Sequence, residues 1–371
     1  MSKAADVVVV GGGVAGCATA YYLAREGVRV TLVERESLGH GASGFSLGRV
    51  DGVAGDIKPG DMEALAARSF ELHLELWPTL RGESGVDVQG KLVTSLELCM
   101  TDEDVPVRKK EMAHWAKAPG YKVYWLSRED VLKLEPRISP QVRGAGAIDY
   151  VGVFDSYRFT VALAQSAERH GLTVRSGSVR GLRRRGSRAT GVLLESGETL
   201  PCDAVVIATG PWAGEASEWL GVKIPVVPSK GQIVYLEGVE PPIVPHIHGP
   251  ISILHKIDGK VCLAATRELK GFDTTTTPEA RDELMAKGVQ TMPCLENARL
   301  VLQTACLRPL SPDEKPIMGP VPGCENAYFI GGGYSKGVML APAMGKAIAD
   351  LVLKGKTDMP IEGLGLARFN P

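Results

Sequence analysis

Three glycines, Gly11, Gly13 and Gly16, follow the apolar run Val7–Val10 in G-x-G-x-x-G spacing, and an acid, Glu34, closes the next apolar run 18 residues after Gly16. These residue types at this spacing suit one task, holding a dinucleotide. The first glycine permits a tight turn, the second lets the main chain approach a pyrophosphate, and the third lets a helix pack closely on its strand. Free N–H groups at the start of that helix favour the negative charge, and the acid accepts hydrogen bonds from both hydroxyls of an adenosine ribose. A tight turn without a ligand is the alternative. The complete strand–helix–strand–Glu context argues against it.

The elements that position these residues follow from the hydrophobic pattern. Val7–Val10 is uninterrupted, as in a parallel strand buried on both faces, and the pattern then predicts a helix from Cys17 to Gly27 and a strand over 28–33. The stretch 39–50 is too rich in Gly and Ser for a helix and reads as a loop. Two more switches from buried strand to glycine turn occur at 202–214 and 326–355. A nicotinamide dehydrogenase keeps its nucleotide fold in one block, whereas a flavoprotein with a discontinuous FAD domain returns to it at the C-terminus.

Composition narrows the partners. The 371 residues are 44% hydrophobic, enough for a sizeable core, and 42 Lys and Arg stand against 43 Asp and Glu. That balance gives no attraction to nucleic acid or to an anionic membrane, so small ligands are the expected partners. Seven cysteines without a CxxC pair suggest neither disulfides nor a metal knuckle and point to a reducing, cytoplasmic setting. No apolar run reaches the roughly 20 residues of a membrane span. His246 and His248 share a face if their segment is a strand, yet two imidazoles make no metal site, and none is expected. The basic run Arg183–Arg188 reads as a solvated hairpin turn around Gly186.

Taken together, the N-terminal block, "GHGAS", "ATGPWAG", "SKGQIV", "ATRELKGFD", "LRPLSPDEKPIMGPVP" and "GGYSKGVMLAPAMGKAIADL" resemble the D-amino acid oxidase superfamily, in its glycine oxidase and sarcosine oxidase branch. The likeness spans nearly the full length in the same order. It implies an α/β fold with a Rossmann-like FAD-binding domain built from residues 1–88, 145–225 and 305–371. Residues 89–144 and 226–304 would form a substrate domain whose large mixed or antiparallel sheet roofs the flavin. It implies oxidation of the C–N bond of a small carboxylate-bearing amine: a D-amino acid, a glycine- or sarcosine-type N-alkyl amino acid, or a cyclic imino acid. Hydride passes to flavin N5, an imine results, and oxygen or an electron carrier accepts the electrons. A homo-oligomer is compatible with it.

The resemblance also assigns residues. Around FAD it places Gly11, Gly13, Val14, Ala15, Gly16, Glu34 and Arg35, then Gly41, Ala42, Ser43 and Arg49 in the loop, and Val179 on the adenine side at the end of "LTVRSGSV". Ala208, Thr209, Gly210, Trp212, Cys306, Gly332, Gly333, Lys336, Gly337, Val338 and Met339 complete the set. Arg308 matches the arginine that clamps the substrate carboxylate, for which a two-pronged guanidinium is suited; a structural pair with an acid such as Asp313 is the alternative. Arg49 either raises the flavin potential by its charge or hydrogen-bonds loop carbonyls. Cys306 matches a cysteine that carries covalent flavin in sarcosine oxidases, although noncovalent FAD is favoured. Lys336 borders the flavin or faces solvent. Pro342 suits the first turn of the last helix, whose positive end would point at the flavin.

Departures open the substrate question. "SILHK" places Ser252 where glycine oxidases have a substrate-facing tyrosine and His255 where they have a proline. Cys262 occupies the place of the oxygen-activating lysine of sarcosine oxidases, with Lys260 two residues away. Two other readings stay open, a flavin-dependent 2-hydroxy acid dehydrogenase and a noncatalytic FAD-binding subunit.

Overall fold

The computed structural model describes residues 6–53, 57 and 62–369. Its centre is a six-stranded sheet in the order Ile317–Pro320, Ala327–Gly331, Ala204–Ile207, Asp6–Val10, Arg29–Glu34, Thr173–Ser176. All neighbours run parallel except Ile317–Pro320, which turns back antiparallel on Ala327–Gly331. Successive side chains of a strand point to opposite faces, which is why four valines in a row are all buried. Val7 and Val9 join a core with the helices Val14–Arg25, Glu63–Ser84, Ser156–Arg169 and Gly337–Lys354. Val8 and Val10 join a second core with Val192, Leu194 and Leu220.

The second large unit is a nine-stranded, mostly antiparallel sheet. Its order is Arg299–Leu310, Val227–Glu237, Val261–Ala264, Ser252–His255, His246–His248, Lys91–Cys99, Gly144–Val153 and Arg49–Val50, and Val123–Ser127 pairs alongside Gly144–Val153. One face carries Val234, Leu263, Ile253, Ile247 and Leu96 into an apolar core with Leu284 of the helix Pro278–Thr291. By alternation, the opposite face presents Ile233, Ala264, Ser252 and His248, which are cross-strand partners in one row.

Several expected elements sit elsewhere. Gly144–Val153, Arg49–Val50 and the end of Arg299–Leu310 pair within the nine-stranded sheet, although residues 1–88, 145–225 and 305–371 were expected with the nucleotide-binding segments. Val179 does not end the strand Thr173–Ser176; it opens Val179–Arg185, which belongs to a separate three-stranded sheet. That strand turns at Gly186 into Arg188–Leu194, as the hairpin reading requires. Ser127 and Asp130 form a reciprocal capping box at the start of the helix Arg128–Leu134.

Candidate active site

The glycine turn is held by close approach. Gly11 has φ +112°, and a Cβ there would lie 2.4 Å from the Ala208 carbonyl oxygen; a Cβ on Gly16 would lie 2.0 Å from the Gly11 carbonyl oxygen. The helix Val14–Arg25 therefore starts directly on the strand end. Val14 N–H donates to Ser43 Oγ at 2.9 Å, which ties the Gly/Ser loop to that start. Glu34 is fixed by Gly12 N–H at 2.6 Å and Glu36 N–H at 2.9 Å, and each carboxylate oxygen keeps a second acceptor position.

A cavity of about 610 Å³ is lined at one end by Gly11–Ala15, Glu34, Arg35, Gly41–Ser43, Val179, Ala208–Gly210 and Trp212. Toward the nine-stranded sheet it is lined by Arg49, Gly231, Ile233, His248, Ser252, Ala264, Arg267, Cys306 and Arg308, and the segment Gly333–Met339 closes the side. Two of the expected residues stand outside this lining. Gly16 serves packing, as its contact with Gly11 shows, and Gly332 points toward Ser311 and Ile317. The cavity is of a size that holds an extended ligand. The side-chain oxygens of Thr209 and Ser335 are buried in its wall with no hydrogen-bond partner among the described residues. Close-packed glycines, main-chain donors at a helix start and these orphaned hydroxyls fit FAD.

Arg308 enters from the strand Arg299–Leu310, opposite Ser229. Its guanidinium lies over Gly231, where a Cβ would come 2.0 Å from Nη2, donates to the Thr266 carbonyl and sits 5.4 Å from the centre of the Tyr334 ring. The alternative pairing with Asp313 is not formed: Asp313 takes two hydrogen bonds from Arg368, at 2.9 and 3.1 Å. Arg267 approaches the same tyrosine at 5.6 Å, and nothing in its sequence context singles it out.

The Arg49 guanidinium is bracketed by Asp51 at 3.0 Å and Glu97 at 2.9 Å. It therefore reaches the cavity wall already paired with two carboxylates, which offset its positive charge. Burial works against the charge of Glu97 most strongly, yet Arg49, His248, Arg108 and the Ser95 hydroxyl outweigh it and hold the carboxyl below its usual range. Burial pushes the Cys306 thiol up, with Arg308 opposing. Lys336 is buried rather than solvent-facing, and its Nζ donates to the Glu314 carbonyl at 3.0 Å.

Pro342 is not in the first turn. The helix begins at Gly337, so Pro342 stands in its interior and supplies no N–H to the Val338 carbonyl one turn back. His73 Nε2 donates there instead, at 3.2 Å to Val338 and 3.1 Å to Met339. Ser69 Oγ completes the repair, donating to the Met339 carbonyl at 2.8 Å and accepting Ala343 N–H at 3.4 Å. Burial lowers the His73 pKa to about 4, so the ring is neutral while it caps these carbonyls.

His255 accepts Ile243 N–H at 3.1 Å, and Cys262 is buried with its thiol pushed up to about 12; neither lines the cavity. Lys260 pairs with Asp258 at 2.6 Å. Among the described residues no three His, Cys, Asp or Glu side chains form a metal cluster, and no helix is long and apolar enough to cross a membrane.

Comparison with known proteins gives a consistent set. The family described as FAD dependent oxidoreductase (DAO) matches residues 6–351. A glycine oxidase of Pseudomonas aeruginosa is 33% identical over 93% of this chain and 94% of its own. The solved structure of glycine oxidase from Geobacillus kaustophilus superposes with a TM-score of 0.92 at 27% identity, covering 99% of each chain. That of iminodiacetate oxidase from a Chelativorans species does so with a TM-score of 0.89 at 26% identity, covering 97% and 98%.

Proposed function

The chain belongs to the DAO family of FAD-dependent oxidoreductases, and from that membership we propose that it oxidises the C–N bond of a small amino acid whose carboxylate is clamped by Arg308. The observation that carries this reading is the shared cavity: Glu34 and the glycine turn at one end, Arg308 and Ser252 under the sheet at the other. When bound, FAD supplies the hydride acceptor at its N5. Gly11–Ala15, Glu34 and Ser43 would hold its nucleotide half, and Gly333 with Lys336–Met339 its ring. The helix that starts at Gly337 directs its positive end into the same wall.

A guanidinium braced by the Thr266 carbonyl and the Tyr334 ring is pre-oriented for two-pronged recognition of a carboxylate, so binding a substrate costs little reorganisation. The Cys306 thiol, kept protonated by burial, is a poor nucleophile, which supports noncovalent FAD. We divide the chain into nucleotide-binding segments that carry the six-stranded sheet and substrate segments that carry the nine-stranded one. Oxygen or an electron carrier takes the electrons.

The experiment is anaerobic mixing of the yellow protein with D-amino acids, N-alkyl amino acids, cyclic imino acids and 2-hydroxy acids, watching for flavin bleaching, followed by air. Bleaching by an amine class supports the reading, and the speed at which colour returns separates oxidase from dehydrogenase. Bleaching by 2-hydroxy acids alone overturns it in favour of alcohol oxidation, and no bleaching at all favours a noncatalytic FAD-binding subunit.

A further inference from the structure

The carboxylate clamp leaves one polar row of the cavity without a task. His248 and Ser252 both line the cavity, and His248 Nδ1 lies 2.7 Å from Ser252 Oγ. On its other side His248 stands in parallel register with Glu97, a carboxylate almost wholly buried and paired with Arg49. The order across the sheet is thus Glu97, His248, Ser252, with the last two at the cavity. A fixed carboxylate behind an imidazole stabilises the imidazolium that forms when the ring takes a proton, and a hydroxyl in front delivers that proton.

Amine oxidation needs such a step. An ammonium has no lone pair to support the carbon that loses hydride, and small amino acids carry ammonium at neutral pH. One proton must therefore leave before the C–N bond is oxidised. Resting on the amine-oxidising reading above, we propose that His248 is the base that deprotonates the substrate ammonium through Ser252. The ammonium N–H gives its proton to Ser252 Oγ, and Ser252 O–H passes its own to Nδ1, in the tautomer with hydrogen on Nε2. The electron pair of the broken N–H bond stays on nitrogen, so no oxidant is consumed in this step. Glu97 acts as a positioning residue behind the ring.

The surrounding charges fit this assignment. His246, on the same strand, stacks on His248 with ring centres 6.3 Å apart, but it is buried behind Ser95 at 2.8 Å and burial holds it neutral. Arg49 is satisfied by Glu97 and Asp51, and Arg108 lies 3.8 Å from Glu97. Arg267, Arg308 and Lys336 face the cavity from the other elements.

The test is the rate of anaerobic flavin bleaching by the preferred amino acid in wild type, His248→Gln and Ser252→Ala, from about pH 6 to about pH 10. The expected result is a roughly 10²-fold loss for His248→Gln at neutral pH that shrinks to a few-fold once the free substrate is itself a neutral amine. Ser252→Ala should follow the same profile with a smaller loss, which guards against a His248 variant that folds poorly. A loss constant across pH in both variants, or no loss, overturns the proposal while leaving amine oxidation intact. Failure of the wild type to be bleached by any amine overturns both. Retained perturbation of the flavin spectrum by 2-aminoisobutyrate, which has no Cα hydrogen to lose, shows that the variant sites are still formed.

Discussion

The two ends of the cavity are built on opposite principles. At the glycine end, the wall is built chiefly from main-chain groups and from glycines of one strand–turn–helix, with Glu34 and Ser43 fixed onto it by hydrogen bonds. At the sheet end it comes from side chains brought together by cross-strand register: Arg308 beside Ser229, Ser252 beside Ala264, His248 beside Glu97. At the first end, Gly11 and Gly16 leave no room for a Cβ. The second should tolerate substitution at the cost of chemistry rather than of structure.

The largest expected effect lies at the glycine end. Gly16→Val would force its side chain into the Gly11 carbonyl, and loss of both FAD and the folded protein is expected, read from flavin absorbance and circular dichroism after purification. Retained flavin would break the comparison at its root. At the other end, Arg308→Ala should keep FAD bound yet lower kcat/KM for a carboxylate substrate by roughly 10²-fold or more. Unchanged kinetics would remove the clamp.

His73, buried behind the cavity-lining Val338 and Met339, gives a pH-dependent effect. Its folded pKa of about 4 is below the ordinary 6.5, so the unfolded chain binds a proton that the folded one does not between those values. The sign is that stability is full above about pH 6.5 and falls as pH drops toward 4, by roughly 3 kcal/mol from this group. His73→Gln, which keeps a donor for the Val338 carbonyl, should flatten that slope in urea midpoints measured against pH. An unchanged slope would mean that His73 is not the group responsible.

Smaller effects sharpen the contrast. Glu34→Ala removes an acceptor and should weaken FAD binding roughly tenfold, consistent with about 1.5 kcal/mol for a charged hydrogen bond, while leaving the released apoprotein folded. The least effect is expected for Cys306→Ala: in both variant and wild type, acid precipitation should leave the flavin in the supernatant. Flavin retained in the wild-type pellet alone would show a covalent bond.

The glycine end was legible in the sequence because its parts are contiguous. Gly11, Gly13, Glu34 and Ser43 line one end of the same cavity. Gly332 lies just outside the cavity lining, between the lining residues Gly331 and Gly333. The ion pairs of Arg49 were not legible, since one partner, Glu97, lies 48 residues away on another strand. His246 and His248 stood out only as candidate metal ligands; the register that sets His248 between Glu97 and Ser252 joins residues about 150 positions apart, which no local pattern records. Pro342 was read as a helix start because proline suits a first turn. Only the packing of Glu63–Ser84 against the last helix, with Ser69 and His73 supplying the missing donors, lets it sit in the interior.

What the sequence determined by itself is therefore local: burial on both faces along Val7–Val10, the glycine turn, the acid after the second strand and the order of motifs that carries the family likeness. Those features depend on backbone conformation and on side-chain size, which are properties of neighbouring residues. The tertiary structure alone decided which charges are compensated, which hydroxyls are left unpaired in the cavity wall and which imidazole lines the cavity. Electrostatic and hydrogen-bond partners are set by distance in space, and strands far apart in the chain meet only when the sheet closes.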